Sequence, residues 1–104
     1  MSSDEGRITS WLHFASDHPT AEGHFPEHPV IPGAVLLDHI VTAIAASDAA
    51  VSEVRAIKFL RVVRPGDRLQ LAWRWTGARD VAFEALGADN EPSVSGTLVA
   101  DRRS

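Results

Sequence analysis

The sequence predicts an α+β domain in which an antiparallel sheet wraps around one central helix, and three observations lead there. From Ala34 the chain reads "AVLLDHIVTAIAASDAA", rich in helix formers and apolar nearly all round, the pattern of a buried helix. Everything after it alternates apolar and polar residues between turn signals, the period of half-buried strands. Ahead of it, "ASDHPTAEGHFPEHPVIPG" packs four of the six prolines into fourteen positions, which blocks helix and ladder alike and marks an irregular loop. One helix and a run of strands give an α+β layer architecture.

The elements follow in order. "RITSWLHF" forms a first strand, with Ile8, Ser10, Leu12 and Phe14 on one side and Trp11 and His13 on the other. After the proline-rich loop comes the helix, over about residues 34–48, ending at the polar break Ser47–Asp48. "SEVRAIKFLRVV" is the next strand, closed by a Pro65–Gly66–Asp67 turn. "RLQLAWRW" places Leu69, Leu71, Trp73 and Trp75 on one face against Gln70, Ala72 and Arg74. "DVAFEAL" sets Val81, Phe83 and Ala85 against Glu84, and "SVSGTLVAD" directs Val94, Leu98 and Ala100 one way. The four strands after the helix stand at hairpin spacing.

The totals bound the function. At 104 residues the chain is read as a single domain, residues 1–104. A chain of that length buries only about two thirds of its unfolded surface, so association would help it. It has no cysteine, hence no disulfide framework and no thiolate chemistry. A net charge of −4 argues against nucleic-acid binding. The polar start "MSSDEGRITSW" is no signal peptide, and the apolar stretch is too short for a bilayer, so a cytoplasmic protein without membrane association is expected.

Two residues invite chemistry. Asp38 interrupts the most apolar segment, and a buried carboxylate without partners is costly. It fills a polar gap between helix and loop, or a subunit boundary, or else it serves as an acid. His24, in the loop, is either bonded to backbone or a base that works near neutral pH. His24 and His28 have a metal-binding spacing on a helix, but Pro26 and Pro29 rule a helix out there. A folded loop could still gather His18, His24 and His28 with Asp17 or Glu27; no metal is assigned. His13 and His18 read as strand surface and turn, His28 and His39 as packing or solvent contacts.

What ties the pair together is the start of the helix. Gly33, preceded by Pro32, lies where the first unpaired backbone N–H groups of a helix favour negative charge. A base, an acid and an oxyanion donor within sixteen residues suit elimination of water from a β-hydroxyacyl thioester.

The segment "GHFPEHPVIPGAVLLD", with "IKFLRVVRPGDRLQL" after it, resembles the β-hydroxyacyl-acyl carrier protein dehydratases of the FabA/FabZ type, which have the hotdog fold. The resemblance runs from about Ile8 to Asp101. It implies that His24 is the catalytic histidine, Asp38 the catalytic acid, and Gly33 the residue whose amide polarises the thioester carbonyl. It implies no metal or organic cofactor. It also implies a dimer with one continuous sheet, in which histidine and acid of each site come from opposite subunits; a higher oligomer, or a heterodimer with another hotdog chain, remains open. Phe25, Pro32, Val35 and Phe59 are expected along the acyl tunnel.

One branch of that family carries Glu at the acid position, and Asp38 agrees with the other. The continuation "DHIVTA" and the short N-terminal segment are closer to small dehydratase-like proteins of pigment and polyketide pathways, aryl polyenes among them. Acyl carrier protein is acidic, so Arg55, Lys58, Arg61, Arg64 and Arg68 read either as its landing patch, with Arg61 and Arg64 foremost, or as a solvated strand face. Two other functions fit the fold: a thioesterase in which the carboxylate activates water, and a non-catalytic acyl-binding module that pairs with another hotdog chain. A binding module would need neither His24 nor Asp38.

Overall fold

A computed structural model describes residues 8–14, 30–47 and 49–102. It contains strand β1 (Ile8–His13), helix α1 (Gly33–Ala45) and strands β2 (Ala49–Phe59), β3 (Arg68–Trp75), β4 (Asp80–Leu86) and β5 (Pro92–Arg102). The strands form one antiparallel sheet in the order β1-β3-β4-β5-β2. The α+β architecture expected from the sequence is the one found.

The alternation in β3, β4 and β5 builds the core. Leu69, Leu71, Trp73, Val81, Phe83, Ala85, Val94, Leu98 and Ala100 are all buried, and Leu12 and Phe14 join them from the first strand. Register lays these residues in rows across the sheet: Ser10, Leu71, Ala85, Val94 and Phe59 in one, Ile8, Trp73, Phe83, Gly96 and Ile57 in the next. In the second row Gly96 makes room for the Phe83 ring. A Cβ at Gly96 would lie 2.7 Å from Phe83 Cζ and 2.3 Å from the carbonyl oxygen of Ala56.

The helix lies on this face through Leu36, Ile40 and Ile44, one residue per turn, each buried and each contributing about 1.5–3 kcal/mol of apolar burial. It runs from Gly33 to Ala45, so it begins one residue before the expected start and ends three before the expected end. The N–H groups of Ala46 and Ser47 close the last turn on the carbonyls of Thr42 and Ile44, both at 3.0 Å. Burial is confined to one stripe: Ala34, Asp38 and Thr42 are exposed on the opposite side. The sheet offers one face to the helix, and among the described residues no element packs against the side that carries Ala34, Asp38 and Thr42.

Two expectations about the strands need correction. β2 starts at Ala49 and stops at Phe59, and does not continue to Val63. Nor does the Pro65–Gly66–Asp67 turn close a hairpin, because β2 lies on one edge of the sheet and pairs with β5, while β3 lies beside the other edge. Residues 60–67 cross between them. This crossover is pinned along its length: Leu60 and Arg61 donate to the Ser93 carbonyl (2.8 and 3.2 Å), Ile31 donates to Val63 (2.7 Å), and Phe14 exchanges bonds with Gly66 and Asp67 (2.5 and 3.0 Å). The turn itself is real. Gly66 has φ 94°, which favours glycine, and Asp67 accepts from the Arg64 N–H at 2.8 Å. β2 also carries two register shifts, between Val51 and Glu53 and between Val54 and Ala56, as in a bulged edge strand.

Candidate active site

The site begins at the first turn of α1. Pro32 takes the N-cap position in an extended conformation (φ −60°, ψ 148°), and its carbonyl accepts from Val35 (3.0 Å) and Leu36 (3.1 Å). Pro32 offers no side-chain cap, and the first turn contains no acid. The N–H groups at the start of the helix therefore keep the positive end of its dipole uncovered by the helix's own residues. Gly33 is its first residue.

Gly33 is also held against an aromatic ring. A Cβ built on it would lie 2.9 Å from Cζ of Phe59 and 3.2 and 3.3 Å from the two Cε atoms. Phe59, the last residue of β2, thus covers the Cα side of the helix start while remaining 49% exposed. Around these two residues opens a groove of about 380 Å³, lined chiefly by Ile31, Pro32, Gly33, Leu36, Phe59 and the crossover from Leu60 to Val63. Its size falls within the range of small-ligand sites, and its walls are mostly apolar. Leu60 and Val62 are large apolar residues left at least half exposed on this crossover.

The expected site residues are distributed unevenly over this geometry. Pro32, Gly33 and Phe59 line the groove. Val35 instead packs, half buried, against the core cluster. His24 and Phe25 lie outside the described residues, as do His18 and His28. Asp38 is exposed and does not line the groove. Five residues past Gly33, it sits about 140° further around the helix and about 7.5 Å along it. Its neighbour His39 is a packing residue, its ring centroid 4.9 Å from that of Phe14.

The basic cluster divides in the same way. Arg55 stands 3.6 Å from Glu53, and the Arg68 guanidinium lies over the Trp11 ring, 4.7 Å from its centroid. Arg61, on the groove wall, forms a hydrogen-bonded ion pair with Asp89 in the β4–β5 connection. That bond holds the Asp89 carboxyl below its ordinary range and raises the arginine above its own. Arg64 is exposed, with no ion pair seen among the described residues.

Sequence reasoning missed Leu60 and Val62 as groove residues because it placed them inside a strand. Their signal was the apolar run "FLRVV" just before a turn. Asp89 gave no signal, since its partner stands 28 positions away.

This architecture recurs in solved structures. The dehydratase heterocomplex ApeI:P from Xenorhabdus doucetiae superposes with a TM-score of 0.75 at 20% identity, covering 98% of this chain and 93% of that one. The R-hydratase PhaJ1 of Pseudomonas aeruginosa gives 0.71 at 14% identity, over 94% of this chain and 80% of that one. The fold is thus the hotdog fold that the sequence suggested. In sequence, the 3-hydroxyacyl-[acyl-carrier-protein] dehydratase FabZ of Thermus thermophilus is 32% identical over 114 aligned residues, covering 94% of this chain and 79% of that protein. FabZ of Myxococcus xanthus is 34% identical over 107, covering 91% and 68%. The family model for ApeI-like proteins, described as ApeI dehydratase, matches residues 1–97, and the chain belongs to this ApeI-like dehydratase family.

Proposed function

We propose that this protein removes water from a 3-hydroxyacyl group carried as a thioester on acyl carrier protein, giving the trans-2-enoyl thioester. The observation that carries the reading is the helix start at Gly33, given no side-chain cap by Pro32 and opening into an apolar groove, in a chain of a dehydratase family. The acyl group lies in the groove with its carbonyl oxygen toward the Gly33 N–H. His24 takes the proton from C2, and the electron pair forms the C2–C3 double bond as the C3–O bond breaks. The charge that builds on the carbonyl oxygen during this transfer is met by the amide and the helix dipole. Asp38 gives a proton to the departing hydroxyl, which leaves as water. These steps call on side chains and backbone alone.

Asp38 and the groove occupy different faces of one chain. The set converges when a second subunit supplies the acid, so the working unit is a homodimer, or a heterodimer with another hotdog chain. The exposed side of α1, where Asp38 stands between Ala34 and Thr42, is the face such a partner would cover. The enzyme acts in the cytoplasm on a carrier-bound substrate; among the described residues, no helix is long and apolar enough to cross a membrane. Arg64, with Arg61 beside the groove, is the landing point for the acidic carrier, and a specialised polyketide-like or aryl-polyene route is the setting.

The test is direct. Purified protein is incubated with 3-hydroxyacyl-acyl carrier protein of several chain lengths, and the loss of one water is followed by mass spectrometry. Water loss by wild type and its disappearance in His24→Ala, with the fold retained, are expected. Release of free carrier thiol without an enoyl product would establish a thioesterase instead. Normal turnover by His24→Ala would sink the assignment.

A further inference from the structure

The rim of the groove carries an arginine that the chain itself already engages. Arg61 lies on the groove wall, and its guanidinium is hydrogen-bonded and ion-paired to Asp89 in the β4–β5 connection. Neither partner depends on the other for its place. The backbone N–H groups of Leu60 and Arg61 donate to the Ser93 carbonyl at 2.8 and 3.2 Å, which fixes the start of the crossover on β5. The turn bearing Asp89 closes on itself. Gly87 donates to the Glu91 carbonyl and Asn90 to the Gly87 carbonyl, both at 2.9 Å, and the Glu91 N–H donates to Asp89 Oδ1 at 3.1 Å. One carboxylate oxygen of Asp89 thus holds its own turn while the other reaches across to the arginine. Both side chains are half exposed, and an exposed pair of this kind contributes little to folding. The charge of Glu91 also acts on Arg61, so on this part of the rim one cation faces two carboxylates. Arg64 is different: exposed, with no ion pair seen among the described residues.

We propose that Asp89 is a specificity-determining residue, an internal stand-in for the acidic carrier: it occupies the Arg61 guanidinium until a carboxylate or phosphate of the carrier displaces it. The inference rests on the reading that Arg61 and Arg64 receive acyl carrier protein at the groove. Arg64 makes the first contact and Arg61 the second. Exchanging one oxygen anion for another preserves a charge-assisted hydrogen bond to the guanidinium, so the exchange is nearly neutral for Arg61. What the carrier has to overcome is repulsion from Asp89 and Glu91. The pair therefore sets a threshold. A carrier that presents anions to Arg64 and Arg61 together passes it, and a weakly acidic protein is held off Arg61.

The experiment compares Asp89→Asn, Asp89→Ser, Glu91→Gln, Arg61→Ala and the double variant Arg61→Ala/Asp89→Asn with wild type. The probe is fluorescently labelled 3-hydroxyacyl-acyl carrier protein with an amide in place of the thioester. Its Kd and association rate are read at about 0.05 M and about 0.5 M salt, and water loss from the thioester itself is measured in parallel. Asn and Ser both keep an oxygen able to accept from the Glu91 N–H, so the turn survives either change, and circular dichroism checks each fold. Both Asp89 variants are expected to bind the carrier about two- to fivefold tighter at low salt, mainly through faster association, with the gain shrinking at high salt. Glu91→Gln removes the same charge with the Arg61–Asp89 bond left in place, so its gain should be smaller. In the Arg61→Ala background the Asp89→Asn gain should fall to less than half, because the arginine it would release is gone.

Carrier affinity that is unchanged or weaker in both Asp89 variants would overturn the proposal and make the pair a brace for Arg61. A gain of the same size from Glu91→Gln, or one that persists in full without Arg61, would also overturn it, since overall charge would then account for the effect. The two readings fail separately. If wild type captures the carrier with the expected pattern but removes no water, the dehydratase assignment falls and the role of Asp89 stands. If wild type dehydrates a pantetheine thioester but captures no carrier at either salt concentration, the enzyme stands and the inference falls.

Discussion

The separation of Asp38 from the groove leads to a quantitative test by subunit mixing. Leu36, Ile40 and Ile44 point the buried stripe of α1 at the sheet, while Asp38 is exposed on the far side, about 140° around from Gly33. His24 precedes Gly33 by nine positions in the same chain, and the residues just before Gly33 line the groove. A site that draws the histidine from one chain and the acid from the other therefore survives in a particular mixture. His24→Ala and Asp38→Asn homodimers are each inactive, since every site lacks one partner. Co-refolding equal amounts gives mixed dimers as about half of the total, and each mixed dimer holds one site with both changes and one with neither. Recovered activity should reach about a quarter of wild type, as the symmetry of a two-chain site dictates. The assay is loss of water from 3-hydroxyacyl-acyl carrier protein, with each variant refolded alone as control and native mass spectrometry counting mixed dimers. Activity that stays at the level of the separate variants while mixed dimers are abundant would refute the two-chain site.

Three further outcomes are expected. Gly96→Ala sets a methyl group 2.3 Å from the Ala56 carbonyl and 2.7 Å from the Phe83 ring, so it should destabilise the fold by about 1–3 kcal/mol or more, read as a lower urea midpoint at unchanged slope. Ile40→Ala empties a fully buried helix position and should cost about 2–5 kcal/mol in the same measurement. Asp89→Asn breaks the Arg61 pair on the rim of the groove. Because the hydrogen bond to Arg61 lowers the acid's folded-state pKa, the pair stabilises above the ordinary carboxylate range and loses its effect as the pH falls through the depressed value. Melting curves of wild type and Asp89→Asn should differ slightly at neutral pH and converge in acid, below the ordinary carboxylate range. An equal gap at both ends would assign the difference to something other than the ion pair.

Local pattern carried most of the architecture, and non-local pairing carried the rest. The alternation in "DVAFEAL" named its buried positions, and that in "RLQLAWRW" named Leu69, Leu71 and Trp73, because a half-buried strand writes its period into adjacent residues; Ala72, set on the polar side, is buried as well, and Trp75 is only half-buried. The two register shifts in β2 break that period, and this strand's bounds were misread. A crossover of eight residues looks like a hairpin connection in sequence; that β2 pairs with β5, across the sheet from β3, depends on contacts about forty residues apart. At the candidate site, the Pro32–Gly33 start was legible from backbone chemistry alone, whereas the Phe59 ring on Gly33 needed the fold to bring the end of β2 to the helix. Asp38 is the instructive case. A helix that is apolar all round belongs in an interior, yet one chain buries a single stripe of it and leaves the acid exposed, flanked by the half-buried Leu37 and Val41. The two facts agree when a second subunit lies on that side. On the proposed two-subunit reading, the sequence pattern reports the environment of an assembled pair of which the single chain displays half, and Asp38 would stand at the boundary where a substrate in the neighbouring groove meets it.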